Sequence, residues 1–456
     1  MGGYANCASF WGHSGFWAAG LITSPCFLAA KAKGQGKMKR KFCFFLLICL
    51  LFQTGCWGFR EVDEEAFIMI LGLDKGKENL LVITAQIAVP RGMGGGGMGQ
   101  GGGTTSGGQA KPTMTVTVEC RSILAGLNML NATLERKPSL AHLKVVVVSD
   151  ELARQGIKAY LTQLLRYFEF RRSTFLVVSR GPAQRLIKQF QPIMENNPAK
   201  FAELFMGSQR YVGFIPFGQV HHFYNDLKST TVQPVAMLVS LKEKPPENYL
   251  PAEEEQFSEG QFYAGQLPLK GGNNIELMGT AVFYQDRMVG VLNGEETLIL
   301  NLLRGWLKQT LLTIPDPANP KYSISLRIKM ERKTKLKVTL SQGRPKIYVR
   351  LFLDGEIIST QSRINYGSPA KLSLLEEELN KLLAEKTQDL IAKTQDEMQT
   401  DIFGFGNKAR RLVATWPQWQ KLNWPELYPQ AQTGVTVKIH LRRFGLLRKI
   451  DPTGAP

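Results

Sequence analysis

The residue best placed for a defined chemistry is Cys56, whose thiol can carry a lipid. It follows a small pair ending in Gly55, an apolar run at 42–52 and a basic cluster at 38–41. That order is typical of a bacterial lipoprotein signal, in which the chain is cut between Gly55 and Cys56 and a fatty acyl chain such as palmitate is attached. Gln53 stands where an aliphatic residue is usual, so an ordinary secretory signal, or an anchor followed by a free cysteine, is the alternative.

Residues 38–55 are therefore predicted to be a signal peptide, because an apolar core of eleven residues is shorter than a membrane-spanning helix. Residues 1–37 show no apolar periodicity. We interpret them as the product of a start codon assigned too early, or as an extended n-region.

The cysteine count and the net charge limit which disulfides and which binding partners the exported chain can have. Of the six cysteines only Cys120 lies beyond Cys56, so no internal disulfide is expected. The whole chain carries a net charge of +18, and loss of the six basic residues before Cys56 leaves about +12. Such a charge suits nucleic acid or anionic lipid, and export argues against nucleic acid. A solvated basic surface with no partner is the alternative.

The remaining candidates for catalysis or metal binding are weak. His221 and His222 are neighbours, which makes them a poor chelating pair on a helix or a strand. Glu295 and Glu296 could act in acid–base chemistry, but they are better placed to begin a helix. We therefore predict no enzyme activity, no metal and no cofactor.

The elements of the first half alternate between strands and helices. A hairpin is predicted at 67–73 and 80–89, a strand at 113–118 and a helix at 123–134. Buried strands at 145–148 and 175–178 follow, with Asp150 as the N-cap of the helix between them. This pattern predicts an N-terminal α/β module over 56–241, with a Gly-rich loop at 92–108.

The second half of the chain has a different pattern of strands and helices. Residues 242–272 are interpreted as a linker or loop, and 273–448 as a C-terminal module. That module contains a second hairpin at 276–292, three alternating strands between 322 and 353, and a long helix that Ser373 can cap. The predicted fold is thus α+β or mixed α/β and multi-domain, with a curved antiparallel sheet and a long packed helix at the C-terminal end.

One short run stands between that helix and a basic segment. It reads Asp401-Ile402-Phe403-Gly404-Phe405-Gly406 and is followed by Lys408, Arg410 and Arg411. One interpretation is a connection between helices in which Phe403 and Phe405 fill the core. The other is a surface that contacts a partner protein, formed by Asp401, Phe403, Gly404, Phe405, Gly406, Lys408, Arg410 and Arg411.

Taken together, these blocks resemble the Ger(x)C family of spore germination lipoproteins. The resemblance is carried, in chain order, by Cys56-Trp57, Arg60-Glu61-Val62, the ending Gly72-Leu73-Asp74-Lys75, and residues 142–148, 151–157, 168–172, 279–283, 289–297 and 401–406. Gly58 departs from the Asp that members often have there, and the Gly-rich loop resembles an insertion.

The resemblance implies a C subunit of a nutrient germinant receptor, held by lipid on the outer leaflet of the spore inner membrane. Its partners would be an A-type and a B-type receptor subunit, and its action would be receptor assembly and protein–protein contact. Two other functions stay open: a solute-binding lipoprotein that captures a small nutrient, and an exported enzyme acting on spore envelope polymers.

Overall fold

A computed structural model describes residues 61–444, except for 79, 90–111, 191–193, 196, 211, 244–258 and 363, together with residues 44 and 45. Gly55, Cys56 and the Gly-rich loop at 92–108 lie outside the described residues. The chain divides into two compact units, 1–60 and 61–456. Among the described residues, no helix combines the length and the apolar character needed to cross a bilayer.

A nine-stranded mixed sheet forms the first half of this unit, with the order β3-β2-β1-β5-β6-β7-β8-β9 and β4 beside β1. Its strands are β1 (Glu65–Lys75), β2 (Leu81–Ala88), β3 (Thr113–Cys120), β4 (Lys137–Ser139), β5 (Val145–Ser149), β6 (Phe175–Ser179), β7 (Val235–Leu241), β8 (Ile275–Tyr284) and β9 (Arg287–Leu292). The central strands β1, β5, β6 and β7 are parallel, and the short β4 also pairs parallel with β1. Strands β2, β3, β8 and β9 pair antiparallel with their neighbours.

Helices cover both faces of the central strands. They are α1 (Ile123–Asn131), α2 (Asp150–Gln155), α3 (Lys158–Arg166), α4 (Ala183–Gln189), α5 (Pro198–Gly207) and α6 (Val220–Lys228). One face packs against α1, α2, α3 and α6, and the other against α4 and α5. Burial on both sides explains why β5 is a continuous run of β-branched residues, as the sequence predicted.

The predicted hairpins are confirmed, but the helix after β5 differs from expectation. Its N-cap is Ser149, whose hydroxyl accepts a hydrogen bond from the Leu152 amide, and Asp150 is the first helical residue. The expected single helix is also divided in two, because Gly156 adopts a φ of 122° and ends α2.

The second sheet has the order β10-β11-β13-β12, with β14 beside β13. Its strands are β10 (Gln309–Asp316), β11 (Asn319–Met330), β12 (Lys335–Ser341), β13 (Arg344–Thr360) and β14 (Gln432–Phe444). The first four pair antiparallel, as expected for β11, β12 and β13, while β14 runs parallel to β13. The sequence did not reveal β10.

Five helices accompany this sheet: α7 (Gly294–Arg304), α8 (Pro369–Asp396), α9 (Gly406–Ala409), α10 (Trp416–Leu422) and α11 (Trp424–Leu427). The long helix α8 packs its leucines onto the sheet. It begins at Pro369 after Ser368, one turn earlier than the predicted cap at Ser373. It also protects the edge of the sheet, because the Asn380 side chain accepts from the Ile439 amide at 2.8 Å.

The mixed α+β architecture with two sheets confirms the predicted fold class. The structure adds one feature to the domain description: β8 and β9, which the sequence places in the C-terminal module, complete the first sheet. Strand β8 pairs with β7, and β9 pairs with β8. The predicted boundaries at 56–241, 242–272 and 273–448 stay predictions.

Candidate functional site

The segment after α8 is built around the buried carboxylate of Asp401, whose side chain is 4% exposed. Four successive backbone amides donate to it: those of Phe403, Gly404 and Phe405 to Oδ1 at 3.0, 2.9 and 3.2 Å, and that of Gly406 to Oδ2 at 2.8 Å. The chain therefore wraps around its own carboxylate, which fixes the conformation of residues 401–406.

A side chain provides a fifth hydrogen-bond donor to the Asp401 carboxylate. The indole Nε1 of Trp424, on α11, donates to Asp401 Oδ2 at 3.0 Å. Burial raises the pKa of Asp401, and the hydrogen bonds from Gly406, Trp424, Gly404 and Phe405 oppose that rise. All five groups are donors, so each of these bonds favours the ionised carboxylate.

The two glycines of this segment are required by geometry. Gly404 has a φ of 81°, which side chains rarely adopt. A Cβ on Gly406 would lie 2.4 Å from the carbonyl oxygen of Thr231 and 2.7 Å from Trp424 Nε1. Position 406 is therefore where two distant stretches of backbone approach each other most closely in this corner.

The aromatic residues of the segment lie in the core. Phe403 and Phe405 are buried, with ring centroids 5.1 Å apart, and Phe405 also lies against Tyr428. Trp419 and Trp424 stack beside them at 6.4 Å. This geometry supports the core-filling interpretation for Phe403 and Phe405.

Residues 401–407 are also hydrogen-bonded to the segment that precedes β7 in the first sheet and to the last residue of α7. The Gln233 amide donates to the Asp401 carbonyl at 2.8 Å, and the Thr231 hydroxyl donates to Asn407 Oδ1 at 2.7 Å. Arg304, the last residue of α7, donates from Nε to the Ile402 carbonyl at 2.6 Å.

Arg304 also reaches the segment that precedes β7. Its guanidinium lies 3.0 Å from the Asp226 carboxylate and donates to the Gln233 carbonyl at 3.3 Å. Sequence reasoning missed both Arg304 and Asp226, because residues 78 positions apart carry no local signal of pairing. We name the set Asp226, Arg304, Asp401, Gly406 and Trp424 the junction.

The basic residues after the junction differ in exposure. Lys408 is half-buried, and Arg410 is half-buried with its guanidinium bonded to the Val413 carbonyl at 2.9 Å. Arg411 is exposed. Of the eight predicted contact residues, five are thus buried around one carboxylate, and the remaining surface is basic. Partner contact by these residues stays a prediction.

The other residues considered for catalysis or metal binding have structural roles instead. Asn293 and Glu296 form a reciprocal capping box at the start of α7, and Glu296 pairs with Lys393 at 2.7 Å. His221 bonds to Asn225, and burial lowers the pKa of His222. No group of three or more potential metal ligands occurs among the described residues.

Two cavities bear on ligand binding. An apolar cavity between the first sheet and helices α4 and α5 holds about 20 Å³, the room of about one water molecule. A polar cavity of about 330 Å³ lies at the carboxyl ends of β6 and β7, lined by Arg180, Arg185 and Lys242 among others. Arg180 and Lys242 already donate to the carbonyls of Ala264 and Gly271, whereas Arg185 has no bonded partner among the residues that the structure describes.

Two family models match the chain in sequence order. The model described as "Spore germination protein N-terminal domain" matches residues 58–241, and the model described as "Spore germination B3/ GerAC like, C-terminal" matches residues 278–445. The chain belongs to the Ger(x)C family of spore germination proteins, as its sequence resemblance implied.

Similar proteins align over nearly their whole length. Spore germination protein KC of Bacillus subtilis (strain 168) is 25% identical over 410 residues, which is 88% of this chain and 95% of that protein. Spore germination protein B3 of the same strain is 22% identical over 89% of this chain and 97% of its own. Spore germination protein GerQC of Bacillus cereus is 22% identical over 90% of this chain and 99% of its own.

A solved structure described as "Crystal Structure of the GerBC protein" also aligns with this chain. Its TM-score is 0.44 at 17% sequence identity, and the alignment covers 81% of this chain and 96% of that one.

Proposed function

We propose that this protein is the lipid-anchored C subunit of a spore nutrient germinant receptor, and that it acts by assembling with A-type and B-type subunits without a catalytic step of its own. The observation that carries the proposal is the ordered match of both family models, which together span most of residues 58–445. The junction supports it, because residues 401–406, one of the runs that carry the family resemblance, hold the fold rather than present reactive groups.

The proposed anchor is a lipid on Cys56, after cleavage behind Gly55. More than one acyl chain gives stable attachment, whereas a single chain gives only marginal binding. Attachment on the outer leaflet of the spore inner membrane would place the protein beside the membrane-embedded subunits. The positive charge of the chain is consistent with a position over anionic headgroups.

Direct capture of a nutrient is the second function considered. It would need a deep, largely apolar pocket with converging polar groups. The apolar cavity of about 20 Å³ is too small for an amino acid or a sugar. The polar cavity at β6 and β7 has two of its three cations bonded to backbone carbonyls, so neither cavity favours this function.

The test is replacement of the anchoring thiol. Cys56→Ala in the full chain should leave a folded protein that fails to incorporate labelled palmitate, is released from spore membranes, and no longer supports germination through its receptor. Cys49→Ala is the matched control, because it removes a cysteine from the same signal and keeps the proposed lipidation site. A Cys56→Ala protein that stays firmly membrane-bound and supports normal germination would overturn the anchoring proposal.

Assembly is tested separately. The wild-type protein should co-purify from detergent-solubilised spore membranes with an A-type subunit encoded beside it. Absence of any such complex, with the anchor intact, would overturn the role as a receptor subunit.

A further inference from the structure

The second sheet has one covered face and one open face. Helix α8 and the largest hydrophobic cluster cover the face that carries Ile347, Val349 and Ile439. Alternate residues of the same strands point the other way, and most of them are exposed. The open face is therefore formed by the outward-pointing side chains of β12, β13 and β14.

Basic side chains dominate this surface. Lys335 and Lys337 lie on β12, Lys346 and Arg350 on β13, and Lys438 on β14. We call these five residues the basic face. The strand register sets Lys335 opposite Arg350 and Lys438 opposite Phe352, and neighbouring strands lie about 4.8 Å apart, so all five residues lie on the same face of the sheet.

No carboxylate of the described part of the chain neutralises these residues. The acidic groups bordering the basic face, Glu331, Asp354 and Glu356, are each paired with an arginine outside it: Glu331 and Asp354 with Arg442, and Glu356 with Arg327. Five positive charges thus face solvent together. Like charges held side by side repel one another, so an anionic partner would relieve an existing cost.

An aromatic ring lies in the middle of the basic face. Tyr348 is 50% exposed and lies opposite Lys337 on one side and Gly434 on the other. Its ring lies 3.6 Å from the position that a Cβ on Gly434 would take, so it rests over that glycine. Half-exposed tyrosine among lysines is typical of the membrane–water interface, where the ring and the lysine stems contact apolar material and the polar ends stay wet.

The chemistry of the surface distinguishes a lipid partner from an acidic protein. Protein interfaces are depleted in lysine and concentrate apolar and aromatic residues in a closely packed centre. The basic face has four lysines and one arginine around a single tyrosine. Flexible lysines instead suit a layer of mobile anionic headgroups, near which each basic residue is favourable.

We propose that the basic face docks on the headgroups of anionic phospholipids. The proposal rests on the membrane location given above, and it deepens that function by assigning the surface that lies against the bilayer. Lipid on Cys56 would tether the protein, and the basic face would orient it on the membrane.

The experiment uses the unit Glu61–Pro456, which lacks the anchoring cysteine. The three hydrophobic clusters of the described residues lie inside this unit, which is a compact unit of the chain. Binding is measured by co-sedimentation with vesicles of phosphatidylcholine alone or mixed with phosphatidylglycerol. The unit should bind the mixed vesicles, should not bind phosphatidylcholine vesicles, and should be released as salt screens the charges.

The triple variant Lys337→Glu, Lys346→Glu, Lys438→Glu tests the assignment to this face. It should lower partitioning onto mixed vesicles by at least about tenfold. The corresponding triple change to Gln, which removes charge without reversing it, should give an intermediate loss. The matched control is Lys188→Glu, Lys371→Glu, Lys381→Glu, which changes the net charge equally at exposed lysines outside the basic face.

The outcomes separate the possibilities. Loss in the face variant with binding retained in the control supports the proposal. Equal losses would mean that total charge governs binding, and no loss in the face variant would mean that another surface binds lipid; either overturns it. If lipid binding is unchanged but co-purification with the A-type subunit is lost, the face binds an acidic protein. None of these results alters the anchoring test on Cys56.

Discussion

The indole of Trp424 donates a hydrogen bond of 3.0 Å to the carboxylate of Asp401, across 23 residues of chain. Together with four backbone amides, this bond surrounds a buried charge with five donors. Sequence alone assigned residues 401–406 either to the core or to a partner surface. In the structure, hydrogen bonds to the buried Asp401 carboxylate fix their conformation. Contact with partners at this corner must use the residues that project outward.

The carboxylate of Asp401 should be essential for stability. In Asp401→Asn the amide keeps the size of the side chain, but its NH₂ group faces the N–H donors of Gly406 and Trp424. Two buried donors then lose their acceptor, and the free energy of unfolding should fall by about 2–5 kcal/mol. Urea denaturation of the Glu61–Pro456 unit measures this change.

Trp424→Phe is the control for that measurement, because it removes one donor and keeps most of the buried ring. It should cost about 1–2 kcal/mol, less than the loss of the acceptor. Equal effects of the two variants would show that packing around the indole, and not the carboxylate, stabilises the corner.

Arg304 should not be replaceable by lysine. Its planar guanidinium bonds the Asp226 carboxylate and the Ile402 carbonyl at once, and its side chain is only 11% exposed. A lysine ammonium is a single point charge and cannot reproduce that fork, so Arg304→Lys should cost about 1.5–3 kcal/mol.

The matched control is Arg327→Lys, which changes the exposed pair with Glu356 at 2.9 Å. Exposed ion pairs contribute little, and this change should cost less than about 1 kcal/mol. If both lysine variants unfold at the same urea concentration as the wild-type protein, Arg304 does not join the two halves as described.

Local signals in the sequence predicted local structure. The β8–β9 hairpin and the buried strands β5 and β6 follow from alternation, β-branched runs and turn residues. The start of α7 at Asn293 was also recognisable, because the capping box is written within four residues. The positions of these elements were predicted, but the caps expected at Asp150 and Ser373 were wrong, because the caps are Ser149 and Ser368.

Relationships between distant segments were not predictable in the same way. Nothing near β14 indicates that it pairs parallel with β13, since that choice depends on where α8 and the junction bring the chain back. The pairing of Asp226 with Arg304 is equally nonlocal. The helix break at Gly156 was missed because the apolar spacing continues through it, and only the φ of 122° reveals the turn.

Cys120 should be chemically inert in the folded protein. Its side chain is 4% exposed, and burial raises the pKa of the thiol. The reactive form is the thiolate, so alkylation by iodoacetamide should be at least about a hundredfold slower in the native unit than in urea. It is the only cysteine of Glu61–Pro456, so the label reports this site alone.

The raised pKa of the Cys120 thiol also determines whether the stability of the unit rises or falls with pH. The unfolded thiol ionises first as pH rises, so the contribution of Cys120 to stability is complete below its ordinary pKa and declines above it. Compared with Cys120→Ala, the wild-type unit should therefore lose more stability in alkaline buffer. Rapid native labelling, or the same alkaline loss in both proteins, would contradict a buried protonated thiol.

Arg411 is the residue with which to test partner contact at the junction. Among the three predicted basic contacts it is exposed, whereas Arg410 bonds the Val413 carbonyl and Lys408 is half-buried. Arg411→Glu should therefore change the free energy of unfolding by no more than about 0.5 kcal/mol. If the corner faces an acidic subunit or anionic headgroups, the reversal should still lower receptor abundance or the germination rate.

Arg172→Glu, an equally simple reversal at an exposed arginine of the first half, is the control. Normal folding with normal receptor level and germination in Arg411→Glu spores would exclude this residue from the interface and leave residues 401–411 with a purely structural role.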